Sequence, residues 1–394
     1  MKKTLLLIAT LLASYVGMAQ ETYHPTAENL KAREQFQDEK FGIFLHWGLY
    51  SMMGTTEWIM TNRDINYKEY PKLAKTFYPS EFDADAWIKA IKAAGAKYIT
   101  ITTRHHDGFS LFKTATSTYN SVDGSPFKRD IIKELADACK RHDIKLHLYY
   151  SHLDWGREDY PVGRTGTGTG RPKEKANWAS YYKFMNTQLT ELLTNYGKVG
   201  AIWFDGWWDH DSDAKPFDWQ LEEQYALIHK LQPQCLVANN HHHTPFPGED
   251  IQIFERDLPG ENKAGLSGQS IGRLPLESCQ TINEHWGYNI TDTLYKSPKE
   301  LIQMLVRAAG KNANLLLNIG PEPGGALPEL ALNRLQAIGE WLNKYGETIY
   351  GTRGGIVGPH EWGVSTQRGN KLYIHILNCM DSSLFIPTGN HKIK

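Results

Sequence analysis

The sequence has no excess charge of either sign: 43 Lys and Arg stand against 44 Asp and Glu, a formal net charge of -1 over 394 residues. Such balance gives no electrostatic reason to expect a nucleic-acid or anionic-membrane partner. Cysteine is scarce. Cys139, Cys235, Cys279 and Cys379 are widely scattered without a C-x-x-C pair, which argues against a zinc ribbon. A chain this long buries a core without disulfides, so four mostly buried thiols are expected. Beyond the N-terminal segment no apolar run is long enough to span a bilayer. No G-x-G-x-x-G follows a first strand, which weakens a dinucleotide-binding reading, and no H-E-x-x-H motif is present. No cofactor is implied.

The N-terminal segment itself has the pattern of a signal peptide over residues 1–19. Lys2 and Lys3 form a basic start, Thr4 to Val16 is a short apolar stretch, and Gly17-Met-Ala19 is a small-x-small cleavage site. Export to a periplasm or to the outside is therefore expected. No Cys follows the site, so no lipid anchor is expected. Oligomeric state has no signature in the sequence.

Aromatics make up 12% of the chain, with 12 Trp. That load fits a protein that stacks indole planes on sugar rings, and equally a Trp-rich core.

Short apolar, β-rich runs alternate with helical patterns. The strands are read at Phe41–Trp47, Tyr98–Thr103, Lys145–Ser151, Ala201–Asp205, Cys235–Asn239, Ile251–Glu255, Glu277–Ile282 and Asn314–Ile319. Several are apolar almost without interruption, as strands buried on both faces are. Helical patterns lie between most of them, at 83–94, 128–141, 179–196, 217–231, 298–309 and 327–345. Asp83 is the predicted N-cap of the first, and Gly95 its stop. The whole predicts an α/β fold, a (β/α)8 TIM-like barrel over residues 20–346. The loop 158–175, with Gly166-Thr-Gly-Thr-Gly170, is expected to be mobile and to lie on the active-site rim. Residues 347–394 read as a short C-terminal β appendage, either abbreviated or truncated, with Lys371–Leu377 alternating like a strand with one wet face.

A barrel enzyme works at the C-terminal ends of its strands. There the sequence delivers His46-Trp47, Arg104-His105-His106-Asp107, Tyr149-Tyr150, Asp205, Asn239-Asn240-His241-His242-His243, Glu255-Arg256 and, after strand seven, His285-Trp286. Asp205 ends a fully apolar strand and is flanked by Trp203, Trp207 and Trp208. A carboxylate there is costly unless hydrogen-bonded or paired. Glu255 ends a later strand in a similar setting, and two carboxylates at one mouth suit glycoside hydrolysis. Salt bridges to Arg256 or Lys263 are the structural alternative for Glu255. Glu249, Asp250 and Glu277 rival it as the second carboxylate. The histidines could serve a metal-dependent hydrolase, but adjacent residues such as His105 and His106 point to opposite sides of a strand and share one site only from a loop. Neutral imidazoles bonding sugar hydroxyls are the better reading. A carbohydrate-binding barrel without turnover is the further alternative.

Taken together, Phe41-Gly-Ile-Phe-Leu-His-Trp-Gly48, Thr103-Arg-His-His-Asp-Gly-Phe109, Trp203-Phe-Asp-Gly206, Trp286-Gly-Tyr-Asn289 and Leu315-Leu-Leu-Asn-Ile-Gly-Pro321 resemble the α-L-fucosidases of glycoside hydrolase family 29. The resemblance spans residues 24–350. It implies a retaining exo-enzyme that removes terminal α-L-fucose from oligosaccharides or glycoconjugates without a metal. It implies Asp205 as nucleophile and Glu255 as acid/base, with Glu277 as the fallback. It implies His46, Glu57, Trp58, His105, His106, Tyr149 and Trp203 as sugar-binding residues, and Trp286 against the fucose methyl group. Where some relatives carry an arginine after strand five, the matching position here is His241.

Overall fold

A computed structural model describes residues 23–379 and 382–387. The signal segment 1–19 lies outside the described residues. Eight parallel strands form the centre: β1 Phe41–Leu45, β2 Tyr98–Arg104, β3 Lys145–Ser151, β4 Ala201–Asp205, β5 Leu236–Asn239, β6 Gln252–Glu255, β7 Leu276–Thr281 and β8 Ala313–Ile319. The ladder runs β5-β4-β3-β2-β1-β8-β7-β6. It closes into a barrel through a single parallel bridge between Ala238 and Ile251. The (β/α)8 architecture expected from the sequence is thus present. The apolar runs mark it so clearly because every residue of β1, β2 and β8 is buried.

The helices are α1 Ala27–Glu39, the short α2 Ile59–Asn62, α3 Ala84–Ala93, α4 Ile131–His142, α5 Trp178–Asn195, α6 Leu221–Leu231, α7 Pro298–Gly310 and α8 Glu329–Tyr345. Local chemistry sets their ends. Asp83 accepts from Ala86 N at 3.0 Å to open α3. Ser297 and Glu300 form a capping box at α7, with Pro298 in its first turn. The buried stripe Trp87, Ile88 and Ile91 lays α3 against the sheet. Among the described residues no α-helix follows β5 or β6; irregular segments replace them, and both border the mouth. No described helix is long and apolar enough to cross a membrane.

Helix α1 has no counterpart in the sequence reading. It is polar on most of its surface and buries only Asn29 and Phe36. Phe36 packs against Tyr98 and His147 and belongs to the same buried cluster as Phe44, Tyr149 and Trp203 inside the barrel. Arg33 of α1 reaches Asp250, whose buried carboxylate also accepts from His229 Nε2 at 2.9 Å, Tyr23 OH at 3.2 Å and Val237 N at 2.8 Å. Asp250 is therefore the clamp on the β5–β6 closure and not a mouth residue.

The C-terminal sheet is antiparallel, ordered β11-β10-β9, from β9 Arg353–Gly354, β10 Gly363–Arg368 and β11 Lys371–Ile376. Cys139, Cys235 and Cys279 are buried as expected, whereas Cys379 is exposed on this appendage.

Burial pushes the Asp250 carboxyl up, but its His229, Arg33 and Val237 partners outweigh that and hold it below the ordinary carboxylate range. Its contribution is therefore present above the unfolded pKa and lost as pH falls. Asp250→Ala should cost about 3–5 kcal/mol at neutral pH, because it strands Arg33 and opens the seam. Denaturant titration checks this; a loss under 1 kcal/mol would mean that the clamp carries little.

Candidate active site

The C-terminal ends of the strands enclose an open cavity of about 670 Å³. Asp205 lies at its floor. Its Oδ1 accepts from Gly206 N at 2.8 Å and Trp208 Nε1 at 2.9 Å, and its Oδ2 from Tyr149 OH at 3.0 Å. Gly206 turns the chain at φ +95°, and a side chain there would press on Leu153. Trp203 and Tyr149 stack with ring centroids 5.6 Å apart, forming an aromatic bed beneath the carboxylate.

Glu255 faces Asp205 across the same cavity. Its Oε2 accepts from Asn240 Nδ2 at 2.8 Å and His242 Nε2 at 2.9 Å. The same Asn240 nitrogen lies 3.5 Å from Asp205 Oδ1. Asn240 thus bridges Glu255 Oε2 and Asp205 Oδ1, and the two carboxylates face each other across one shared donor. Each side chain is 14% exposed, opening only into the cavity. Burial and the charge of Glu255 raise Asp205 to about 6. Burial also pushes Glu255 up, but His242, Asn240 and Arg256 outweigh it and hold Glu255 below its ordinary range.

The rivals of Glu255 are engaged elsewhere. Glu249 accepts from Tyr225 OH at 2.9 Å. Glu277 is buried behind Trp203, accepting from Trp203 Nε1 at 2.9 Å and Tyr98 OH at 2.6 Å. Lys263 pairs with Glu261 rather than Glu255.

His46, His105 and His106 all line the cavity. Burial lowers all three imidazoles, His46 to about 4, so they are neutral at physiological pH. Their hydrogen bonds assign the tautomers. Asn318 Nδ2 donates to Trp286 O at 2.7 Å, which leaves Asn318 Oδ1 to accept from His46 Nδ1 at 2.6 Å. Ser151 Oγ donates to Leu153 O at 2.6 Å and so accepts from His106 Nδ1 at 2.7 Å. The Nε2 atoms of His46 and His106 are therefore lone-pair acceptors. His106 Nε2 stands 3.6 Å from Asp205 Oδ2, and a hydroxyl or a carboxyl proton between them satisfies both. His105 and His106 share the cavity because they follow β2 in a turn, where strand alternation no longer holds.

Glu57 accepts from Gly287 N at 2.9 Å, linking the strand-one loop to the segment that carries Trp286. Trp58 stacks on Trp208, and Trp286 lies under the Arg256 guanidinium at 5.0 Å. Trp203 lines the cavity with them. Tyr149 does not line it but supports Asp205 from below.

His241 departs from expectation. It is turned away, with Nε2 3.0 Å from Glu249 Oε1, and it is His242 that lines the cavity. Residues 240–243 have left β5, and His242 adopts φ +66°, so the direction of each side chain is not countable from the strand. Asn240, which the sequence places at the mouth without a role, lines the cavity, as do Arg164 and Leu266 from irregular segments that the sequence does not single out. The loop 158–175, expected to be mobile, is tied down: Asp209 accepts from Thr165 N at 2.8 Å and Tyr160 OH at 2.9 Å. Among the described residues, no three His, Cys, Asp or Glu side chains converge as a metal-ligand set.

Comparisons with known proteins agree with one another. The family model described as alpha-L-fucosidase matches residues 10–347. The chain is 31% identical over 405 residues to a plasma alpha-L-fucosidase of Rattus norvegicus, covering 94% of this chain and 82% of that one. An alpha-L-fucosidase isoenzyme 1 from Paenibacillus thiaminolyticus superposes with a TM-score of 0.79 at 37% identity, over 89% of this chain and 84% of that one. A GH29 alpha-L-fucosidase from Bacteroides thetaiotaomicron, solved as a trapped covalent intermediate with 2-fluoro-fucosyl fluoride, superposes with a TM-score of 0.74 at 28% identity, over 89% of this chain and 82% of that one.

The buried Glu277 yields a test of the floor. Burial raises its carboxyl from 4.5 to about 7. Its contribution to stability is thus full below the unfolded pKa and lost as pH rises through about 7. Glu277→Gln should flatten the decline of Tm between pH 5 and pH 8; parallel declines in the two proteins would contradict the assignment.

Proposed function

The chain belongs to the alpha-L-fucosidase family of glycoside hydrolases, and from that membership we propose a retaining exo-enzyme that releases terminal α-L-fucose through a glycosyl ester on Asp205. The observation that carries this reading is the Asn240 amide shared by Asp205 and Glu255. It brings both carboxylates onto one donor, and the reading requires them to stand roughly 5 Å apart, as double displacement does. The covalent intermediate of the Bacteroides relative supports the same chemistry.

In the first step an Asp205 carboxylate oxygen bonds to the anomeric carbon as the glycosidic C–O bond breaks. Glu255 gives its proton to the leaving oxygen. In the second step Glu255 takes a proton from water, the water oxygen bonds to the same carbon, and the ester to Asp205 breaks. Fucose leaves with its configuration retained, and Glu255 is again protonated. The neutral His46 and His106 accept from sugar hydroxyls through Nε2, with His105, Glu57 and Trp58 as further polar partners. Trp286 offers the sugar an apolar face. Such a site rejects analogues that lack the bonded hydroxyls. A barrel that only binds sugar has no use for a second carboxylate beside the first.

The reactive pair carries one proton. In the empty cavity that proton favours Asp205, raised to about 6, over Glu255, held low, so the productive arrangement is the minor form of the same charge state. Plots of kcat/KM against pH should be bell-shaped, falling above about pH 6 as the last proton leaves. Asp205→Asn should abolish turnover of α-L-fucosides. Glu255→Gln should cut natural glycosides by about 10²–10⁴ and nitrophenyl fucosides far less, since nitrophenolate needs no proton. Its activity on the latter should climb with pH to a plateau. A wild-type limb retained in Glu255→Gln, or equal losses on both substrates, removes Glu255 from the role.

A further inference from the structure

Two non-glycine residues in left-handed backbone flank the second carboxylate. Arg256, with φ +58°, follows Glu255 directly, and His242, with φ +66°, donates to it from the segment after β5. Side chains are placed in such conformations at a cost that the surroundings must sustain, and the strain gathers where function needs a fixed direction. Here the surroundings are specific. His241 is anchored on Glu249, and its Nδ1 accepts from His243 N at 3.0 Å, so the peptide is pinned on either side of His242. Trp207 packs edge-on against His241 and His243 with centroids 5.9 and 5.0 Å away. The loop thus spends three residues on turning one imidazole toward Glu255.

We propose that His242 is a positioning residue that seats Glu255 beside Asp205 and stabilises the carboxylate it becomes once its proton has gone to the leaving group. This rests on the fucosidase reading above and adds a residue to it. The bond favours ionised over protonated Glu255, so it strengthens Glu255 as the acid of the first step and weakens it as the base of the second. The other groups facing Glu255 are Asp205 on β4, Asn240 after β5, Arg256 after β6, Cys279 on β7 and His46 after β1. Asn240 is shared with Asp205, and the Arg256 guanidinium is engaged over Trp286 and with Glu284 O at 3.0 Å. Among the described residues, His242 is the side chain that hydrogen-bonds Glu255 and not Asp205, though it also lowers the Asp205 carboxyl through space.

His242→Gly and His242→Gln separate this role from a structural one. Glycine suits the left-handed backbone, so the Tm of His242→Gly should match or exceed that of wild type. Its kcat/KM should nonetheless fall about tenfold or more on fucosides with sugar leaving groups and much less on nitrophenyl fucosides. The upper limb of its pH profile should move to higher pH, because Glu255 loses a bond to its charged form. His242→Gln, which keeps an N–H donor, and imidazole added to His242→Gly should each recover part of the loss. Equal losses on both substrate classes with an unmoved limb would overturn the positioning role. So would unchanged kinetics in His242→Gly. A wild-type protein inactive on every α-L-fucoside would instead sink the fucosidase reading itself.

Discussion

Everything at the mouth of this barrel follows from the cost of keeping carboxylates out of water. Asp205 ends a strand whose other residues are fully buried, and an unpaired charge there would be prohibitive. The chain meets the cost with hydrogen-bond donors. An indole, a phenol and a backbone amide hold Asp205, while an amide and an imidazole hold Glu255. Among the described residues, no Lys or Arg bonds directly to either carboxylate. A Lys or Arg ion pair would lock each carboxylate in its charged form, whereas these donors leave a proton free to move between the states that a double displacement uses.

The same economy shapes the pocket walls. His46 and His106 have one ring nitrogen committed to Asn318 and Ser151, and the commitment fixes which nitrogen offers a lone pair to a ligand. The second layer of Asn318, Ser151 and Glu277 is therefore what turns a set of buried rings into an oriented array.

The barrel was legible in the sequence because parallel strands buried on both faces leave continuous apolar runs, and that signal is local. Asp205 was legible for the same reason, as a polar residue ending such a run. What escaped notice depends on non-local or irregular structure. Helix α1 shows little apolar stripe, because it sends Phe36 alone into the buried cluster of the barrel and Arg33 across to Asp250. The choice between His241 and His242 turns on one left-handed residue in a loop, where neither a period of two nor of 3.6 applies. Arg164 and Leu266 reach the cavity from irregular segments, one anchored on Asp209 some forty residues on and the other turned around the nearby Asp257. The glycines and prolines of the loop 158–175 suggest freedom, while the carboxylate that bonds it lies some forty residues away.

The closure of the barrel has a mechanical side. Seven of the eight strand junctions are continuous ladders, while β5 and β6 meet at one bridge above the Asp250 clamp. The two halves of the catalytic pair sit on opposite banks of that join, Asp205 with the β4–β5 side and Glu255 with the β6–β7 side. A brief parting there separates Glu255 from Asn240 and His242 while the shell of Asp205 stays whole. Amide exchange on warming would then run ahead of global unfolding along this one crack, and heat would silence proton transfer before it emptied the sugar pocket.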